Sequence, residues 1–93
     1  MRRTVYYAIA RSTPGGRELE HVAALRCERA SDGETVECTL GEVVDAIERG
    51  EMQLRVRDGD AEVVAYVDRV SPPLIRTVPA GGLPEPLLRL PQY

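Results

Sequence analysis

Nothing in this sequence approaches the roughly 18 consecutive apolar residues of a membrane-crossing helix, so no membrane partner is expected. A basic excess is lacking too: 12 lysines and arginines stand against 15 acidic residues, a formal net charge of −3. Binding to phosphate backbones normally shows itself as a clustered basic patch or a strongly basic domain, so nucleic acid is not the expected partner. Met1-Arg2-Arg3 starts like an export signal, but Thr4 to Ala10 alternates and Arg11 follows, which leaves no uninterrupted apolar core for one. The expected location is the cytoplasm, where the two cysteines would be reduced thiols.

The apparatus of catalysis is equally sparse. Two cysteines and the distant His21 are too few ligands for zinc, so no metal is expected. No serine or cysteine stands at a spacing that would make His21 the base of a nucleophile, and no acidic partner for it is marked out. Pro14-Gly15-Gly16 lacks the Lys-Ser/Thr and the helix that complete a phosphate loop, and reads as a turn. These absences predict no catalytic residues and no cofactor.

What is present is an ordinary globular composition, 43% hydrophobic and 29% charged. Ninety-three residues support one core and hence one domain. We expect an α+β body over residues 1–82 and an extended Pro/Leu-rich tail over 83–93.

Along the body, Val5, Tyr7 and Ile9 alternate with Tyr6, Ala8 and Ala10, the period of a strand. Ser12 to Gly16 then forms a hairpin or a longer loop. Two strands flank Asp32-Gly33; a two-residue turn there pairs Arg29 with Val36 and sets Cys27 opposite Cys38. Thr39-Leu40-Gly41-Glu42 matches a capping box, in which the threonine hydroxyl and the glutamate satisfy each other's backbone amides. Val43, Val44 and Ile47 follow at helical spacing, and Gly50 closes a helix of about three turns. Met52, Leu54 and Val56 alternate with Gln53, Arg55 and Arg57 before a second turn signal, Asp58-Gly59, and the strand Ala61 to Val70. A two-residue turn at Asp58-Gly59 pairs Leu54 with Val63 and Arg55 with Glu62. Leu74 to Val78 is a candidate short edge strand. The reading is a mainly antiparallel sheet of five to six strands with one short helix on one face. Its expected core is Leu25, Val36, Val43, Val44, Ile47, Leu54, Val56, Val63 and Val67.

The last third carries Leu74-Ile75-Arg76-Thr77-Val78-Pro79-Ala80-Gly81 and then Leu87-Leu88-Arg89-Leu90-Pro91-Gln92-Tyr93. In these residues, and more loosely in Glu20 to Arg26 and Val43 to Gly50, the chain resembles a small bacterial family catalogued as domain of unknown function 3892. It departs from that pattern at Ala80, where the family usually has Asp, at Glu85-Pro86, which replaces Asp-Asn, and at Cys27, where an aromatic residue is common. The resemblance implies boundaries and a leucine-proline ending, and no activity.

Three sets of residues are candidates for function. Arg76 beside Thr77 offers a fork and a hydroxyl to a carboxylate or phosphate, or else ties down the tail through its backbone or Glu85. Cys27 and Cys38 are a candidate redox pair, or two small buried hydrophobes. Tyr6, Ala8, Ala10, Val22, Ala24, Val64 and Tyr66, with Leu87 and Leu88 of the tail, are assigned to an apolar surface for a protein partner or a second copy. The favoured reading is a non-catalytic protein-binding or scaffold module that offers a sheet face or edge to another protein or to a second copy of itself. The alternative is a small-ligand or redox-sensing domain using Arg76 and the cysteines. Four leucines within Leu83 to Leu90 predict that the tail docks rather than dangles.

Overall fold

A computed structural model describes residues 3–16, 18–78 and 85–93. Strand β1 (Thr4–Ser12) is followed by a 3-10 turn (Leu19–His21), β2 (Ala24–Arg29), β3 (Thr35–Thr39), helix α1 (Leu40–Glu48), β4 (Met52–Asp58), β5 (Ala61–Val64), β6 (Tyr66–Asp68), β7 (Leu74–Arg76) and a 3-10 turn (Pro86–Arg89). The class is α+β. Five strands form one sheet in the order β3-β2-β1-β4-β5, antiparallel except for the central parallel pair β1–β4, and β6 and β7 pair in a separate ribbon.

The parallel pair follows from the helix. Strand β3 lies at the sheet edge, and α1 carries the chain back over one face so that β4 enters beside β1 in the same direction. The helix begins where the capping box places it: Thr39 accepts from the Glu42 amide and the Glu42 carboxylate accepts from the Thr39 amide. Val43 and Val44 face inward. With them Leu25, Cys27, Met52, Leu54, Val56, Ala65, Leu74, Ile75 and Leu87 form the buried cluster, and Val36, Ile47, Val63 and Val67 pack against its margin. The expected core is present, with these last four only partly buried.

Two registers differ from expectation. Between β2 and β3, Cys27 opposes Val36 and Leu25 opposes Cys38, because the loop spans four residues, Ala30 to Gly33, rather than two. Arg29 holds this loop, donating to both Asp32 and Glu34 and closing a 2.7 Å ion pair with each. Between β4 and β5, Val56 opposes Val63 and Arg57 opposes Glu62, with Gly59-Asp60 as the turn. Gly33 and Gly59 each have positive φ, the conformation that fixes where the turn can sit. Both slips are of two residues, so every side chain keeps its face. The predicted strand Ala61 to Val70 breaks at Ala65, whose amide still donates to Leu54 while the chain beyond leaves the sheet for the β6–β7 ribbon.

The third difference concerns β1. Its register with β4 sets Tyr6 beside Leu54, and Ala8 pairs with the buried Cys27, so the even-numbered side chains face the core. Tyr6, Ala8 and Val22 therefore do not belong to an outer patch: Ala8 and Val22 are buried in the core cluster and Tyr6 packs against it, whereas Ala10 and Ala24, although buried, keep the face of Arg26. The reason is that both faces of β1 are apolar, so alternation identifies the strand without orienting it. A bulge between Ala8 and Ala10 then inserts Ile9 and reverses the alternation. Beyond it Ala10 opposes Arg26 and Arg11 opposes Leu25, so Arg11 is delivered to the covered side.

Candidate functional site

Among the described residues, the helix, ribbon and 3-10 turns that cover the sheet lie on one face. Helix α1, both 3-10 turns and the β6–β7 ribbon contribute to the single cluster that also contains Ala8, Leu25, Cys27, Leu54 and Val56. The other face carries no further helix, strand or 3-10 turn among the described residues. Across its middle the registers line up Thr35, Glu28, Tyr7, Arg55 and Val64, one residue from each of the five strands. Next to this row, Arg57 opposes Glu62 and Arg26 opposes Glu37.

Tyr7 is the centre of this face. The Arg57 guanidinium lies over its ring at 4.1 Å, and its hydroxyl donates to Glu62 at 2.8 Å. Arg57 also reaches Glu28 at 3.8 Å and Arg55 reaches Glu62 at 3.3 Å. These are ion pairs between half-exposed side chains, worth little individually and easily exchanged. At one corner Arg26 stacks on Tyr93 at 4.2 Å. Partial burial and then the charge of Glu37 push the Tyr93 phenol above its ordinary range, against the opposite pull of Arg26.

The residues assigned to a partner surface from sequence separate into two groups. Val64 and Tyr66 are exposed, at 51% and 42%. Leu87 is 1% exposed and Leu88 packs against the core, so the tail leucines dock on their own chain. Leu83 lies outside the described residues. Arg76 pairs with Asp68 across the ribbon at 2.9 Å, and among the described residues it makes no hydrogen bond or ion pair to the tail. Thr77 is the clasp instead: its hydroxyl and its amide both donate to Glu85, whose carboxylate also caps the 3-10 turn at the Leu87 amide.

The residue that holds the tail is Arg11, which the sequence did not mark. Its side chain is buried and donates to the carbonyls of Leu88 at 2.8 Å and Leu90 at 3.1 Å, and to the Thr13 hydroxyl at 2.7 Å. Its backbone receives the end of the tail, accepting from Tyr93 and donating to Pro91, just where β4 has stopped pairing with β1. Gln92 donates to Thr13, and Arg89 pairs with the buried Asp58. The signal that would have found Arg11 is the bulge, and nothing in the alternation of β1 announces it.

Cys27 and Cys38 are free thiols, diagonal neighbours rather than opposite partners. Burial, and then the neighbouring Cys38, push the Cys27 thiol up to about 12, and burial followed by the charge of Glu42 raises Cys38. Both are held in the protonated, weakly nucleophilic form. His21 packs beside the Pro14-Gly15-Gly16 turn and accepts from the Glu18 amide. No group of three or more metal-ligating side chains occurs among the described residues, and no helix there is long and apolar enough to cross a membrane.

Comparison of the chain with family models, curated proteins and solved structures finds no match.

Proposed function

We propose that this chain is a non-catalytic protein-binding module and that the uncovered face of its five-stranded sheet is the binding surface. The observation that carries this reading is the one-sided packing: among the described residues every covering helix, strand and 3-10 turn lies on the core face, while the opposite face presents Tyr7 among arginines and glutamates, with Val64 exposed at its edge. A tyrosine flanked by arginine is the composition that protein interfaces favour, because both side chains bury much area and retain polar ends. The other candidates are engaged within the chain: Arg76 with Asp68, Thr77 with Glu85, and two thiols kept protonated.

The test is capture from the cell that makes the protein. Full-length wild type, a face variant combining Tyr7→Ser and Val64→Ser, and a helix-side control, Asp45→Ala, are tagged and their bound proteins compared. A partner held by wild type and control but lost by the face variant supports the reading. Equal capture by all three, with the variant still folded, removes the face from consideration.

A further inference from the structure

We infer that the seat of the tail is a peptide-binding groove, filled within the chain by residues 85–93 and able to take the same residues from a second copy by exchange. The groove lies on the inner face and does not depend on the outer one. Its basis is where the buried polar groups stand. Among the described residues four polar or charged side chains are buried, Arg11, Thr13, Asp58 and Thr77, and all four bond to the tail. Arg11 donates to the Leu88 and Leu90 carbonyls, Thr13 accepts from Gln92, Asp58 pairs with Arg89, and Thr77 donates to Glu85. The other buried side chains are hydrophobic.

Interiors rarely bury polar side chains, whereas binding grooves are apolar with a few polar groups placed to orient what they hold. The seat has that second composition. Pro86 and Leu87 are fully buried where their 3-10 turn lies against β1 and β4. Beyond them the backbone is gripped: the Arg11 amide donates to Pro91 and its carbonyl accepts from Tyr93, which adds the end of the tail beside β1 as a strand. An apolar anchor and strand addition to a sheet edge are the means by which domains take up extended peptides. The described tail has little structure of its own, one 3-10 turn and a single bridge to β1. Pro86 and Pro91 restrict it before it docks, so less freedom is lost on docking.

The occupant in trans is a second copy, because the sequence that fits this seat is carried by every copy of the chain. Exchange of an end segment needs no new surface, since each seat closes on the same residues. A tethered tail acts on its own seat at an effective concentration on the order of millimolar. Wild type is therefore monomeric at micromolar concentration, and exchange shows only where a tail and its own seat are mismatched.

Two full-length variants create that mismatch. Leu87→Ala spoils the tail and keeps the seat; Arg11→Ala spoils the seat and keeps the tail. Each alone is expected to sediment as a monomer at micromolar concentration. Mixed in equal amounts they are expected to form a one-to-one heterodimer, the intact tail of one in the intact seat of the other. A fluorescent peptide of residues 85–93 is expected to bind full-length Leu87→Ala at least tenfold more tightly than wild type, whose own tail competes. The same peptide carrying Leu87→Ala is expected not to bind. Circular dichroism checks that the variants are folded, and Leu87→Val replaces Leu87→Ala if the latter is not. A mixture of folded variants that stays monomeric overturns exchange with a second copy. A peptide that fails to bind the folded tail variant overturns the groove itself, since a tail that is only the last piece of the core leaves no seat behind. The capture experiment on the outer face bears on neither outcome.

Discussion

The two faces of the five-stranded sheet are built from the same strands and differ in almost everything else. On the inner face Leu54 and Val56 are completely buried and Leu25 nearly so, under the helix, the ribbon and the docked tail. On the outer face the neighbouring residues in sequence, Arg55 and Arg57, lie in a lattice of exchangeable ion pairs around Tyr7, and Arg26 stacks on Tyr93. A strand's period of two lets adjacent residues serve opposite ends. The core packs on one face, and the other is left to exposed and half-exposed polar side chains on which little stability depends.

The sharpest break in this comparison is expected from adjacent residues of β4. Leu54→Ala should cost about 2–5 kcal/mol, as large-to-small changes at fully buried sites do. In a domain of this size that corresponds to a Tm lowered by about 10 °C or more. Urea denaturation at neutral pH checks it, and a midpoint unchanged from wild type would remove Leu54 from the core.

Next in size is the fork that closes the inner face. Arg11→Ala removes the donors to Leu88 and Leu90 and should cost about 1–3 kcal/mol, the usual penalty for buried acceptors left unpaired. Arg11→Lys should recover only part of it, because one ammonium cannot reproduce a planar fork. Hydrogen exchange at the Tyr93 amide, which donates to Arg11, should quicken in both. Protection unchanged in the alanine variant would show that the tail is held elsewhere.

The inner face also predicts a pH dependence. The Cys27 thiol ionises at about 12 in the fold against an ordinary value of 9.0. A raised value means that the protonated form is favoured by the folded state. Its contribution is therefore complete below pH 9 and is lost as pH rises from 9 toward 12. At pH 10 the loss should be about 1 kcal/mol. Cys27→Ala should show less alkaline destabilisation than wild type in a series of thermal melts; parallel curves would refute this.

The smallest effect sharpens the comparison most. Arg55→Ala, one residue from Leu54, should change stability by under about 0.5 kcal/mol, which urea denaturation checks. A large loss of stability there would mean that the outer face is structural after all.

What was legible in the sequence depended on local physics. The capping box at Thr39 and Glu42 placed the helix because both of its hydrogen bonds lie within four residues. The alternation of β4 placed its buried residues because the polar partners are arginines and glutamine, which do not compete for the core. The docking of the tail was legible from its leucines, although its anchor was sought in Arg76 and found in Arg11. The candidate site was partly legible: Val64 was rightly placed on the outer face, Tyr66 is exposed but belongs to the β6–β7 ribbon, and Tyr7 was not singled out, because β1 is apolar on both sides and its partner strand decides its orientation.

By itself, then, the sequence determined the elements, the helix cap and the composition of the core, since these rest on periods and contacts short enough for neighbouring residues to set. The tertiary structure alone decided which side of β1 faces inward, where the two turns fix their registers, and which arginine holds the tail. Each of these depends on residues far apart in the chain meeting across a sheet, and one inserted residue at Ile9 is enough to send Arg11 to the side that alternation denies it.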